Sequence, residues 1–313
     1  HHLGVAMLDL YKLQIFNTVV QEGSFTAAAD RLFITQSAVS QHIKDLEAGL
    51  GRTLFQRGRR GVKLTAHGEV LHHYAREIFA LVARAEVALT DVSHLDGGRI
   101  SLGATPGVAV YLAPGWVQCF RARYPRLTVA LQTGVTSEIV DEVAAHRLDA
   151  GIIEGELEAM ALRRITSLAL AEIEQKVIVG REHPWSQAAE LPIDALHRQA
   201  FIMRPPNSQT RVWLDSALRV YGVEPLVGAE FDNLESIKRA VANGQCITIL
   251  PEYIVSAEIA HGALRAVPLT GAPLKRMLKL IWARDSYFSP VTRAFLDELA
   301  AEYPALRSLP EDG

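Results

Sequence analysis

Leu71, Tyr74, Ile78, Leu81, Ala85, Ala88, Val92 and Leu95 recur at spacings that alternate between three and four residues. An unbroken seam of that period is what one helix needs to lie along another in a two-stranded coiled coil. A helix from Ala66 to Leu95 would be about 45 Å long at about 1.5 Å per residue. No neighbouring segment is long enough to cover it, so the seam asks for a second copy of the chain. The sequence therefore divides into a region before this rod, the rod itself, and a region after it.

Three short helical patterns precede the rod, each punctuated at its ends. Asp9 caps a helix in which Leu10, Leu13, Phe16 and Val20 recur at helical spacing, and Gly23 stops it. Ser24 caps Phe25 to Leu32, where Ala27-Ala28-Ala29 lets another helix approach closely. Phe33-Ile34 is a tight connection, and Thr35 is a third cap. The third helix puts Val39, Ile43, Leu46 and Leu50 on one face and ends at Gly51. Its other face carries Gln36, Ser37, Ser40, Gln41 and Lys44, gathered towards the N-terminus.

Two short helices joined by a tight turn, the second polar at its start, make a helix-turn-helix pattern. A helix N-terminus turns free N–H groups towards phosphate, and Gln or Ser can reach base edges in the major groove. Between Leu54 and Leu64, glycines bound the basic tip Arg57, Arg59 and Arg60, a hairpin suited to a phosphate backbone or minor groove. The candidate DNA-binding residues are therefore Thr35, Gln36, Ser37, Ser40, Gln41, Lys44, Arg57, Arg59 and Arg60.

Charge supports that direction. Residues 7–64 hold eight Lys or Arg against five acidic residues, while the whole chain has a net charge of -3. A basic head on an acidic body suits an anionic partner, of which duplex DNA is the commonest. On charge alone, a solvated loop explains the basic run equally well. At 49% hydrophobic and 21% charged residues, the 313-residue chain is globular in composition and large enough for about two domains. No apolar run of membrane-spanning length and no signal segment is present, so a soluble cytoplasmic protein with no membrane partner is expected. Residues 1–6, ahead of Met7, read as a tag remnant.

Phe25-Thr26-Ala27-Ala28-Ala29, Thr35-Gln36-Ser37-Ala38-Val39-Ser40, Leu46-Glu47, Leu50-Gly51, Leu54-Phe55, Arg57 and Leu64-Thr65 resemble the winged helix-turn-helix of LysR-type transcriptional regulators. His67 departs from the alanine usual there. The resemblance is specific from Met7 to about Leu95 and looser beyond. It implies a DNA-binding domain at 7–64, a dimerising linker helix at 65–96 with Leu71, Tyr74, Ile78, Leu81, Ala85 and Val92 in its seam, and an effector-binding domain at 97–313. It further implies a dimer, a tetramer formed from two dimers, an interrupted-palindrome promoter site, and contact with RNA polymerase if the protein is an activator.

After Asp96-Gly97-Gly98, apolar strands alternate with amphipathic helices. Strands are predicted at 99–104, 127–133, 149–153, 175–179, 200–203, 226–231, 246–250 and 278–283. Helices are predicted at 110–124, 138–146, 210–221, 234–243, 251–261 and 290–303. Such alternation predicts α/β subdomains with largely parallel sheets. The family layout implies two subdomains of periplasmic-binding-protein type, one from about 99–162 and 273–303, the other from about 163–272. The whole fold class is thus α/β, with an α-rich winged helix-turn-helix head and a coiled-coil linker.

Ligands of open α/β sheets lie beyond the strand ends, near helix N-termini. Thr105 and Pro106, Thr136 and Ser137, and Arg204, Asn207, Ser208 and Thr210 occupy such positions. The last group resembles the family's Arg-Glu-Pro-Gly-Ser-Gly-Thr-Arg run, from which Pro205, Asn207 and Gln209 depart. Thr133, Glu154 and Asn243-Gly244 are further candidates. Each segment alone is an ordinary helix cap; the family layout brings them to one cleft suited to a small carboxylate or phosphate effector.

Other classes fit less well. The nucleophile-elbow, P-loop, dinucleotide and zinc-protease motifs are absent, so no enzyme and no cofactor are expected. His67-Gly68-Glu69 imitates half of a deaminase signature without its cysteines. Cys119 and Cys246 read as core thiols, too few for a disulfide framework or a structural zinc. His72 and His73 point to different helix faces, so no metal is expected. An exported solute-binding protein would explain the body alone, and would need a signal segment.

Overall fold

Every helix of the N-terminal region begins where a side chain satisfies free backbone N–H groups. The computed structural model describes residues 8–56, 62–88, 97–271, 273–284 and 286–309, in two compact units, 1–86 and 87–313. In the first unit the Asp9 carboxylate accepts the Tyr11 N–H at 2.8 Å and opens α1, Leu10–Glu22. Ser24 caps α2, Phe25–Leu32, through the Ala27 N–H, and Thr35 caps α3, Gln36–Leu50, through the Ala38 N–H at 3.2 Å. Gly23 and Gly51 end α1 and α3 in the left-handed conformation.

The three helices bury Leu13, Phe16, Val19, Ala28, Val39 and Ile43 in one cluster. A two-stranded wing follows, β1 Phe55–Gln56 against β2 Lys63–Leu64. Glu47 fixes its base by accepting the Leu54 N–H at 2.6 Å. Then comes α4, Ala66–Ala88. Gly68 lies so close to the wing that a Cβ there would collide with the Leu54 carbonyl oxygen. Leu71, Ala75, Ile78 and Phe79 of α4 pack on the head cluster. The expected seam is therefore divided: Leu71 and Ile78 serve the head, while Tyr74, Leu81 and Ala85 are exposed. Val92 and Leu95 lie outside the described residues.

The second unit is built on a seven-stranded sheet. β3 (Gly98–Ala104) runs parallel to β4 (Leu127–Thr133) and β5 (Ala150–Glu154). Between these strands lie α5 (Ala113–Arg123), entered through a π-helical turn at Val108–Leu112, and α6 (Thr136–Ala144). β6 extends over Ile165–Gly180, far beyond the predicted 175–179. β7 (Leu191–Pro192), β8 (Ala200–Met203), α7 (Gln209–Val220), β9 (Leu226–Glu230) and α8 (Leu234–Ala242) come next. β10 (Thr248–Pro251), α9 (Glu252–Ala260), β11 (Leu264–Val267), β12 (Leu269–Thr270), β13 (Leu274–Ala283) and α10 (Pro290–Leu299) complete the chain order.

The expectation of largely parallel sheets is corrected. β13 pairs antiparallel with β5 and β6, and β10 and β11 pair antiparallel with β6. Only β3–β4, β3–β5, β8–β9 and β7–β12 are parallel among the described strands. The physical reason is that β6 and β13 return the chain past one another, a pairing that helix–strand alternation cannot reveal. These strands also take part in separate cores: Leu278 and Leu280 belong to one, Val177 and Leu274 to another. Among the described residues no helix is long and apolar enough to cross a membrane.

Candidate functional site

In the first unit the start of α3 is a polar surface. Thr35, Gln36, Ser37, Gln41 and Lys44 are exposed, and Ser40 is half-buried. They bond to near neighbours on the same helix: Gln36 Nε2 donates to Ser40 Oγ at 3.1 Å, and Gln41 Nε2 to Asp45 Oδ1 at 2.8 Å. Such bonds are exchangeable for base edges at little cost, because they join exposed neighbours. Arg57, Arg59 and Arg60 lie outside the described residues.

In the second unit a cavity of about 90 Å³ lies where several helices begin. Thr105, Pro106, Thr136, Arg204, Ser208 and Thr210 line it as expected, and so does Glu154. Ser137 and Asn207 are exposed and do not line it, nor do Thr133, Asn243 and Gly244. Each of the two misplaced first choices sits one residue from a lining position, Thr136 or Ser208, and turns outward at the helix start.

Its floor is a buried polar node. Glu154, at the end of β5, accepts Gln175 Nε2 at 3.0 Å and Arg276 Nη1 at 3.2 Å on Oε1, and the Tyr253 hydroxyl at 2.6 Å on Oε2. Its main-chain N–H donates to Thr105 Oγ1 at 3.2 Å, and its carbonyl accepts Arg276 Nη2 at 2.9 Å. Arg276 Nη1 also reaches Thr210 Oγ1 at 3.3 Å, and its guanidinium lies over the Trp213 ring at 5.2 Å. Gly155 permits this approach: its φ is +127°, and a Cβ there would collide with Arg276 Nη2. Burial, reinforced by the Glu154 charge, pushes the Tyr253 phenol far above its usual pKa, so it remains a proton donor.

The rim is cationic. Arg204 donates to the Asp232 carbonyl; burial pulls its pKa down, against the attraction of Asp232. Arg211 is held by Asp215 and Glu230. At the start of α7, Ser208 forms no side-chain capping bond, which leaves the first N–H groups of the helix without that cap. Leu234, Ile237, Leu250 and Ile254 supply apolar walls. A further tie lies close by: the Tyr111 hydroxyl donates to Glu235 at 2.6 Å, and Lys238 sits between Glu235 and Glu258 with its ammonium 4.7 Å from the Tyr111 ring centroid.

Sequence reasoning missed Arg276, Gln175 and Tyr253. The one signal for Arg276 was its place in alternation with Leu274, Leu278 and Leu280, on the strand face opposite Lys275 and Lys279, and the predicted strand began after it.

A helix-turn-helix reader in one unit and a walled ligand cavity in the other define a ligand-responsive transcriptional regulator. Residues 10–69 match the model for the bacterial regulatory helix-turn-helix protein, lysR family, and residues 93–304 match that for the LysR substrate binding domain. A protein named "Probable RuBisCO transcriptional regulator" from Cyanidioschyzon merolae is 32% identical over 293 residues, 93% of this chain and 97% of that one. The chain belongs to the LysR family of transcriptional regulators. A full-length OxyR variant from Pseudomonas aeruginosa superposes with a TM-score of 0.70 at 22% identity, over 98% of this chain and 96% of that one. The CcmR regulatory domain from Synechocystis PCC6803, solved in complex with 2-PG, superposes with a TM-score of 0.60 at 26% identity, over 68% of this chain and 99% of that one.

Proposed function

We propose that the chain reads promoter DNA through α3 and the wing, and responds to a small organic anion held in the cavity of its second unit. The cavity is the observation that carries the reading: Arg204 and the uncapped start of α7 meet in a space with apolar walls. Backbone N–H groups at a helix start together with a guanidinium are the usual means of holding a carboxylate or phosphate. On this reading residues 7–64 recognise DNA, 65–96 pair two chains, and 97–313 answer to the effector. Exposed Val70, Tyr74 and Leu81 on α4 support the pairing. Two pairs then join as a tetramer, RNA polymerase is a partner at activated promoters, and the protein works in the cytoplasm without catalysing a reaction.

The likeness to a regulatory domain that holds 2-PG makes that compound the first ligand to try. Calorimetry of the full chain with 2-PG is expected to give binding that Arg204→Gln weakens about ten- to a hundredfold. That range follows from about 1.5–3 kcal/mol for a hydrogen bond to a charged group and about 1.4 kcal/mol per decade of affinity. Operator affinity without ligand should be unchanged. If no member of a panel of small organic anions, 2-PG included, raises the melting temperature, the cavity is not an anion receptor.

A further inference from the structure

An anion receptor has no need of a carboxylate in its floor, yet Glu154 lines this cavity while only 6% exposed. Both of its oxygens are acceptors when ionised, each with two lone pairs. Oε1 takes two bonds, from Gln175 and Arg276, whereas Oε2 takes the Tyr253 hydroxyl. Oε2 therefore keeps room for one more donor. A carboxylate so placed repels a second anionic group set directly against it and favours a group that brings a proton.

The cavity's cations are not equally committed. Arg276 is bonded to Glu154, and Arg211 to Asp215 and Glu230. Arg204 donates to a main-chain carbonyl, that of Asp232, whose carboxylate attracts it without forming an ion pair among the described residues, so it is the cation least committed to a carboxylate. The volume of about 90 Å³ is several times the roughly 10–15 Å³ needed to admit a single water, enough for a small molecule. Charge and size together describe a compact molecule with an anionic group for Arg204 and a hydrogen-bond donor for Glu154.

We infer that the effector is a hydroxylated organic anion: its charged group meets Arg204 and the start of α7, and its hydroxyl donates to Glu154 Oε2. Glu154 is thereby the residue that sets specificity. The inference rests on the anion reading of the cavity given above. A site built around a polar partner discriminates against an analogue that lacks that partner, because the buried group is left unpaired.

Calorimetry of the full chain with two probe pairs that differ by one hydroxyl tests it: glycolate against acetate, and malate against succinate. The hydroxylated member of a pair should bind at least tenfold more tightly. In Glu154→Gln the hydroxylated member should weaken and its deoxy partner tighten, because Arg276 then carries an unmatched charge; the ratio should fall to within about threefold. A merely structural role would move both members in the same direction. Arg204→Gln should weaken both members and preserve the ratio, a comparison that remains open if Glu154→Gln does not fold. Equal affinity within both pairs in the unaltered chain overturns the inference and leaves the anion reading standing, as does an unchanged ratio in Glu154→Gln. Failure of all four acids while another anion such as 2-PG binds overturns this inference alone; failure of every anion, 2-PG included, overturns the anion reading and this inference with it.

Discussion

Between Thr35 and Lys44 the N-terminal unit offers its polar side chains from one stretch of helix, exposed and bonded only to near neighbours. The cavity of the C-terminal unit works the other way: Arg276 reaches Glu154 across 122 residues of sequence, and both are buried. On α3, each of these exposed side chains can change without disturbing the core, because Val39, Ile43 and Leu46 face inward independently of it. In the cavity, the groups that line it also tie β5, β6 and β13 together. The proposed recognition is separable from stability in the first unit and joined to it in the second.

The largest expected effect comes from attacking that joint. Arg276→Leu leaves Glu154 buried without its cation, and breaking a buried pair from one side costs about 3–5 kcal/mol. Urea unfolding should show the C-terminal unit losing stability on that scale while the N-terminal unit keeps its own transition. A C-terminal transition shifted by less than about 0.5 kcal/mol, the usual size of a surface change, would show that the node can be separated from the fold after all.

A smaller effect is expected on the other side of the comparison. Gln36→Ala removes an exposed side chain that is bonded only to Ser40. Folding stability should stay within about 0.5 kcal/mol. Affinity for a duplex selected from a random pool should fall by about 1–3 kcal/mol, with little change on unselected duplex. Equal losses on both duplexes would mean that Gln36 positions the backbone and does not read a base.

The same contrast explains what the sequence disclosed. Caps at Asp9, Ser24 and Thr35, stops at Gly23 and Gly51, and the polar start of α3 are local patterns, and the structure has each of them. The helix starts at Thr136 and Gln209 are also local, so Thr105, Thr136, Ser208 and Thr210 were within reach as cavity residues. Arg276, Gln175 and Tyr253 were not: pairing of β13 with β5 and β6 brings Arg276 and Gln175 to Glu154, pairing of β10 with β6 sets the start of α9 that carries Tyr253, and no spacing along the chain records either. The length of β6 was hidden for a related reason. Apart from buried Ile165, its Ile165–Glu174 half is half-buried or exposed throughout and carries Thr166, Ser167, Glu172 and Glu174, whereas Val177 to Gly180 are buried without a break. The seam of α4 shows the limit of periodicity from the opposite side. A period of three and four says that one face is apolar, and Leu71 and Ile78 spend that face on the head's own core.

Acid sharpens the comparison with the smallest effect. His183 is buried just after β6, its Nδ1 accepting the Trp185 N–H at 3.1 Å, a bond only the neutral ring can make. Burial lowers its pKa below the ordinary 6.5, a main-chain bond at Gln245 partly opposing. His72 on α4 is lowered as well, by burial and then by Arg76, with Glu69 opposing. A base whose folded pKa lies below its unfolded value binds fewer protons in the native state, so stability rises with pH across that interval. The contribution is complete above about pH 6.5 and is lost as pH falls through the folded value of each group. Both transitions should therefore move to lower temperature between pH 7.5 and pH 5.5. His183→Gln keeps a side-chain oxygen that can accept the Trp185 N–H and removes the titration. In that variant the C-terminal transition should lose part of its pH slope, while the N-terminal transition keeps its slope in full. Calorimetric scans at a series of pH values read both at once, and an unaltered C-terminal slope would show that His183 gains no proton as that unit unfolds.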